Sequence, residues 1–537
     1  MSLSGRIVSR QGHSTIIYLV QKPPAPSLPD ALYRAAQVRE LDRHAIETHG
    51  IPGATLMQSA GEAAYGLLRV RWPRARKIAV VCGPGNNGGD GYVVAHLAQS
   101  DGRAPVLLQL GDMPATGDAA TMRQACEAAG LKSMLFDAMQ LSGCDVIVDA
   151  LLGTGLEREV SGSWRAAIEA VNNAGVPVLA VDIPSGLNAD TGRVMGAAVR
   201  AQATMSFIGL KTGLFTGDGP SYTGDIFFDD LSVPATIYKD VVPVARRITP
   251  GNLHGLLAPR ARSAHKGSFG HVLVVGGDRG MPGAVHLAGE AALRAGAGLV
   301  TLATHTAHSA TVNAARPELI AFGVTGPADL APLLARARVI AVGPGLQRNG
   351  WGGKLFTAAL DARRPLVVDA DGLYWLSQEP MRREEWVLTP HPGEAASLLG
   401  TSSDAIQSDR FAAARAIADK FGGVCVLKGA GTIVCSAGDE TFDLCDAGNP
   451  GMASAGMGDV LTGVIAALLA QCLAPRDAAR LGVWLHARAG DEAAEQGGEI
   501  GLAASDLFAP LRGLINRLAQ DDSRDGGGRA TPGAVAE

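Results

Sequence analysis

The sequence predicts two successive α/β domains, the first of them a doubly wound parallel sheet. Three observations carry this reading. Short apolar runs alternate with Ala-rich helical stretches along most of the chain. The runs are nearly continuous in Val, Ile, Leu and Ala, as strands covered by helices on both faces require. Midway the alternation lapses, then restarts without repeating the earlier motif order.

Composition bounds the class. A chain of 537 residues accommodates two large domains, and 47% hydrophobic residues supply sizeable cores and exclude disorder as the main state. The 69 glycines are not periodic, so they point to tight turns rather than collagen. A net charge of −5 with no stripe of Lys and Arg argues against a nucleic-acid partner. Seven Cys without a CxxC pair argue against zinc ribbons and disulfide frameworks, and fit a reducing compartment. The evenly spaced Cys425, Cys435 and Cys445 read as buried strand positions rather than ligands. No apolar run reaches the roughly 18 residues of a membrane span, and the short stretch 16–20 lacks a cleavage site. A soluble cytoplasmic protein without a membrane partner is expected.

In chain order, residues 1–30 read as a flexible extension closing on the Pro-rich QKPPAPSLPD. Strands are expected at 77–82, 106–110, 145–151, 176–181, 203–208 and 225–228 within a domain spanning 31–240. The stretch SVPATIYKDVVPVARRITPGN has no clear period and places a boundary within 235–252. Strands at 271–275, 299–303, 338–342, 365–369, 386–388, 424–427 and 432–435 build a second domain over 245–517. The tail 518–537 is low in bulky apolar residues and is expected to be disordered.

The chemistry of the first domain gathers at three strand ends. In KIAVVCGPGNNGGDGYVVAHLAQ, Gly83, Gly85 and Gly88 satisfy GxGxxG, a weak dinucleotide signal by itself. Its glycines allow close backbone approach, and the following helix offers free N–H groups to an anion. Asn86, Asn87 and Asp90 add two amides and a carboxylate, able to coordinate a hard cation or hold a polar ring, or simply to shape the turn. VIVDALLGTGLERE sets Asp149 before a flexible Gly153–Thr154–Gly155, and VLAVDIPSGLNADTG contributes Asp182, Ser185 and Asn188. Ligands of open α/β sheets gather at the carboxyl ends of strands, so the three loops should converge.

GPGNNGGDG, VDALLGTG, VDIPSGLNADTG and FIGLKTGLFTGDG together closely resemble the YjeF N-terminal domain, the NAD(P)H-hydrate epimerase, over about residues 30–235. The resemblance implies a Rossmann-like fold and epimerisation of the hydroxyl-bearing carbon of a hydrated nicotinamide ring. It implies a K+ ion held by Asn87, Asp149 and Ser185. Substrate contacts are implied for Asn86, Asn87, Gly88, Gly89 and Asp90, for Gly153, Thr154, Gly155, Leu156, Glu157, Arg158 and Glu159, and for Asp182. For proton transfer Asp182 is the first choice and Lys211 a nearby candidate.

In the second domain no GxxxxGK[ST] occurs, which leaves an ordinary P-loop unsupported. GNPGMASAGMGDVLTGVIAALLAQ instead leads glycines into an apolar helix beginning near Asp459. Its backbone N–H groups could cradle a phosphate, and Asp459 is placed either to take a hydroxyl proton or to cap the helix. The GxGD pattern resembles the ribokinase-like fold. AHKGSFGHVLVVGGDRGMPGAVHLAG, VGPGL, VVDADGL, LTPHPGE and VLKGAGTIV narrow the resemblance to the ADP-dependent NAD(P)H-hydrate dehydratase, over about 245–515. This implies Asp459 as catalytic base and contacts from Ala284, Gly345, His391 and Asp459 to the hydrated cofactor. It also implies a nucleotide site of Lys428, Gly429, Ala430, Gly431, Thr432 and Gly458.

The two resemblances imply a bifunctional repair enzyme, forming a homo-oligomer, that acts on NADHX and NADPHX with ADP, Mg2+ and K+. The competing readings are a ribokinase-like vitamin or sugar kinase fused to a dinucleotide-binding domain, and a first domain that serves only to bind a dinucleotide or a protein partner.

Overall fold

The computed structural model describes residues 28–113 and 115–525, with side chains to residue 520. The expected extension lies outside the described residues as far as residue 27. From Leu28 the chain is tied down. The Arg247 guanidinium donates to the Leu28 carbonyl at 3.1 Å, and the Asp30 carboxylate accepts from Thr249 Oγ1 and Asn252 Nδ2, each at 3.1 Å.

Seven parallel strands form the first sheet, in the order Met134–Leu135, Ala104–Gln109, Lys77–Cys82, Val146–Ala150, Val178–Val181, Ala203–Phe207 and Asp225–Asp229. Chain order runs outward in both directions from Lys77–Cys82, so the switch point lies between it and Val146–Ala150. That crevice is where open α/β sheets bind ligands. Apart from Lys77, the inner strands are buried along their length because helices cover both faces.

The second sheet has twelve strands. Its parallel part runs Ile320–Val324, Leu299–His305, His271–Val275, Val339–Val342, Leu366–Val368, Trp386–Leu388 and Val424–Leu427. Thr432–Ser436 and Phe442–Cys445 continue it antiparallel, and Ala245–Arg247 pairs beyond them. The last two strands come from the first domain's sequence. Ala31–Tyr33 runs antiparallel to Ala245–Arg247, and Leu210–Lys211 runs parallel to Ala31–Tyr33. One hydrogen-bonded sheet therefore crosses the domain boundary. Cys425 and Cys435 are cross-strand neighbours in it, Cys445 lies on the next strand, and all three are buried free thiols.

The C-terminus differs from the sequence reading. The helix Phe508–Asp525 continues past the expected boundary at 517. Leu507, Leu511, Leu514 and Leu518 recur at helical spacing and are buried, which carries the helix into the expected tail. Residues 526–537 lie outside the described residues. Among the described residues, no helix is long and apolar enough to cross a membrane.

Candidate functional site

The glycine loop is shorter than expected, because the helix Asn86–Ser100 begins at the first Asn. Asn86, Asn87, Gly88, Gly89 and Asp90 thus occupy its opening turns. A Cβ at Gly88 would overlap the Gly83 carbonyl oxygen, and one at Gly83 would overlap that of Leu151. Glycine is needed at both positions so that the helix start can sit against the strand ends. Asn87 and Asp90, three apart, fall on neighbouring sides of one turn.

Asn87 and Ser185 meet at Leu152, and Asp149 joins them through Ser185. Asp149 is fully buried and accepts from Ser185 Oγ at 2.6 Å, Ser185 N at 2.8 Å and Leu151 N at 3.3 Å. Ser185 Oγ accepts from Leu152 N at 2.8 Å, and Asn87 Nδ2 donates to the Leu152 carbonyl at 3.2 Å. Burial pushes the Asp149 carboxyl up to about 6 against these hydrogen bonds. The Asn87 side-chain oxygen is buried with no hydrogen-bond partner. An orphaned amide oxygen beside a desolvated carboxylate is a donor set suited to a hard monovalent cation. No group of three or more His, Cys, Asp or Glu is placed to hold a metal among the described residues.

Next to this cluster lies a charged one. Asp182 follows Val178–Val181 with φ at 65°, a strained backbone for a residue with a side chain. Its carboxylate pairs with the fully buried Lys211, whose ammonium also donates to Ser206 Oγ at 3.2 Å and the Phe207 carbonyl at 3.1 Å. Burial raises Asp90 well above the usual carboxylate range, and the charges of Asp182 and Asp42 add to this while Lys211 opposes it. Asp42, on the helix Ala35–Arg43, is likewise raised to about 6 by burial. Asp90 and Asp42 thus both feel the charges of the Lys211–Asp182 pair. The sequence reading missed Asp42, since a lone Asp on an amphipathic helix looks like a solvated face. A Cβ at Gly153 would meet the Asn87 Cβ at 3.2 Å, while Glu157, Arg158 and Glu159 are exposed along the loop that follows.

In the second domain the expected residues gather at the C-terminal ends of the parallel strands. Lys428 follows Val424–Leu427 and donates at 2.7 Å to Asp369, which also accepts from Thr462 Oγ1 at 2.8 Å. Burial disfavours both charges, yet their mutual attraction prevails, lowering Asp369 and raising Lys428. A Cβ at Gly458 would meet Lys428 Nζ at 3.3 Å and Asp369 Oδ2 at 3.4 Å, so this glycine lies against the pair. Asp459 stands in the first turn of the helix Met457–Ala470. Burial, then the charge of Asp369, push its carboxyl up to about 7, with Lys428 opposing. A group titrating there is matched to proton abstraction near neutrality.

Ala284 and Gly345 lie together, a Gly345 Cβ reaching the Ala284 Cβ at 3.2 Å. His391 has a further task. Its Nδ1 accepts from Gly393 N at 2.9 Å and Glu394 N at 3.3 Å, capping the helix Pro392–Leu399. Its Nε2 lies 3.5 Å from Glu394, which in turn is 3.7 Å from Lys428. The loop Lys428, Gly429, Ala430, Gly431 and Thr432 closes on itself, with the Gly429 carbonyl accepting from Thr432 Oγ1 at 3.0 Å. Asp369 and Glu394 were not singled out from sequence, although VVDADGL ends a buried strand on Asp369.

Fold and site define a two-domain α/β enzyme with a buried Lys211–carboxylate cluster in one domain and an Asp459, Lys428 and Asp369 cluster against Gly458 in the other. Residues 53–213 match the family described as YjeF-related protein N-terminus, and residues 272–512 match NAD(P)H-hydrate dehydratase. The bifunctional NAD(P)H-hydrate repair enzyme of Coxiella burnetii is 48% identical over 90% of this chain and 99% of its own length. That of Escherichia coli is 42% identical over 96% of this chain and 99% of its own. The ADP/ATP-dependent NAD(P)H-hydrate dehydratase of Bacillus subtilis, crystallised with ATP and Mg2+, is 28% identical and covers 50% of this chain and 97% of that one, at a TM-score of 0.45. The chain belongs to the family of bifunctional NAD(P)H-hydrate repair enzymes.

Proposed function

We propose that the first domain interconverts the R and S hydrates of NADH and NADPH, and that the second dehydrates the S form using ADP, which becomes AMP and phosphate. The observation that carries this is the pairing of an orphaned Asn87 oxygen and a buried Lys211–Asp182 pair in one domain with a near-neutral Asp459 beside Lys428 in the other.

In the dehydratase site, Asp459 takes the proton of the substrate hydroxyl as its oxygen attacks the β-phosphorus of ADP, and AMP leaves. The hydroxyl has then become a phosphate ester. The ring nitrogen lone pair expels phosphate, and loss of a proton from the adjacent ring carbon restores the double bond. Such transfers depend on positioning and charge stabilisation, the roles assigned to Lys428, Gly458 and the loop to Thr432. Ala284, Gly345 and His391 are assigned to the hydrate. Magnesium would neutralise phosphate charge, with Asp369 and Glu394 as the oxygen donors at hand.

In the epimerase site, the ring nitrogen lone pair expels the hydroxyl as water with a proton from the Asp182–Lys211 pair, and water re-adds to the opposite face of the ring as the pair takes a proton back. Asn86 to Asp90 and Gly153 to Glu159 hold the nucleotide hydrate. Potassium at Asn87, Asp149 and Ser185 would offset the desolvated Asp149 charge. A homo-oligomer in the cytoplasm belongs to the same reading, and light scattering tests its oligomeric part.

The test is recovery of reduced nicotinamide absorbance from mixed-epimer NADH hydrate with Mg2+, K+ and ADP. Full recovery of both epimers with AMP and phosphate supports the proposal. Recovery of the S epimer alone removes the epimerase, and none with ADP or ATP removes both activities.

A further inference from the structure

The nucleotide loop of the second domain is built against the first. Gly429 and Gly431 both have positive φ, 142° and 65°. A Cβ on Gly431 would overlap the carbonyl oxygen of Phe215, and one on Gly429 would lie 2.8 Å from the Arg410 guanidinium. The Thr216 hydroxyl lies 3.3 Å from the Ala430 carbonyl and accepts from Arg410 Nε at 3.1 Å. Arg410 is 1% exposed. Its guanidinium also donates to the carbonyls of Leu427 at 3.2 Å, Lys428 at 3.3 Å and Gly431 at 3.3 Å, and to Gln407 Oε1 at 2.8 Å.

All of these acceptors are neutral. A desolvated cation bound only by neutral oxygens keeps its field, and this one points that field at a loop assigned to an anionic nucleotide. A buried Arg bridging three backbone carbonyls and two side-chain oxygens also fixes the geometry of what it holds, since its planar fork loses little freedom per bond. Thr216 belongs to the loop that begins at Lys211, so the first domain supplies the acceptor that completes the fork.

We infer that Arg410, oriented across the domain boundary by the Thr216 hydroxyl, is a positioning residue for the nucleotide loop 428–432, so that the first domain forms part of the second domain's nucleotide site. This rests on the nucleotide assignment proposed above.

The test uses the full chain and measures ADP and ATP binding by calorimetry without hydrate, then KM for ADP, KM for the hydrate and kcat. Thr216→Val keeps shape and removes the hydroxyl, Thr216→Ser restores it, and Arg410→Met removes the cation. Thr216→Val is expected to weaken nucleotide binding by roughly tenfold, the scale of one hydrogen bond to a charged group. The KM for ADP should rise in parallel, the KM for hydrate should hold, and Thr216→Ser should recover most of the loss. Arg410→Met should lose more, and if it fails to fold the threonine pair decides alone. Unchanged ADP binding in Thr216→Val overturns the inference, as does an equal rise in both KM values. A wild-type chain that binds neither nucleotide overturns the nucleotide assignment, and the inference with it.

Discussion

The dehydratase should lose activity on acidification through pH 7, because of what surrounds Asp459. A general base works in its ionised form. With its carboxyl raised to about 7 by burial and by Asp369, Asp459 is about half ionised at pH 7 and about one-tenth ionised at pH 6. An ordinary carboxylate near 3.9 would stay ionised throughout this range. Plotted against pH, kcat/KM for the S hydrate at saturating ADP and Mg2+ should therefore fall about tenfold per unit below 7, with a slope of one. It should level off above about 8. Asp459→Asn should flatten that limb and lower the rate by about 10²- to 10⁴-fold. The assay is absorbance of reduced nicotinamide, with circular dichroism confirming folded protein at each pH. A flat profile between pH 6 and 8, or an acid limb that survives in Asp459→Asn, would refute the assignment.

Four other outcomes follow from the same geometry. Asp149→Ala should abolish potassium stimulation of epimerisation without loss of fold. In the wild type, potassium affinity should decline below pH 6 as Asp149 protonates, read by titrating the ion at fixed pH. Lys211→Met strands the Asp182 carboxylate, and should cost about 3 kcal/mol in urea unfolding and abolish epimerisation. An unchanged midpoint would contradict a buried pair. Gly431→Ala forces a left-handed backbone and an overlap with Phe215, so it should cost about 1–3 kcal/mol and raise the KM for ADP.

Local pattern disclosed the inner strands well. Lys77–Cys82, His271–Val275, Trp386–Leu388 and Val424–Leu427 lie where the apolar runs place them, because both-face burial leaves an unbroken signature. Ile320–Val324 escaped because it is a half-exposed edge strand. Ala31–Tyr33, Leu210–Lys211 and Ala245–Arg247 are two or three residues long and are defined by partners far away in sequence, which no local period encodes. The sites divide the same way. Strand-end loops singled out Asp149 and Asp182 as candidates, the glycine-rich loop before an apolar helix singled out Asp459, and the family resemblance added Lys428. The roles of Asp42 and Arg410 depend on neighbours brought in by the fold, Lys211 for one and Thr216 for the other. His391 shows the opposite case, since a residue expected from the resemblance to contact ligand is seen in the structure to cap its helix.

The sheet that crosses the boundary has a consequence for how the chain is made. Synthesis runs from the N-terminus, and a completed domain ordinarily folds while the remainder is still emerging. Here Ala31–Tyr33 can meet Leu210–Lys211 early, but its other edge stays open until Ala245–Arg247 is available. That strand in turn closes on Phe442–Cys445, some two hundred residues later. For much of its translation the nascent protein therefore presents an unpaired strand edge, the kind of surface on which polypeptides mispair. The strands at this seam are only two to four residues long, which limits the template it offers to a neighbouring chain on the same message.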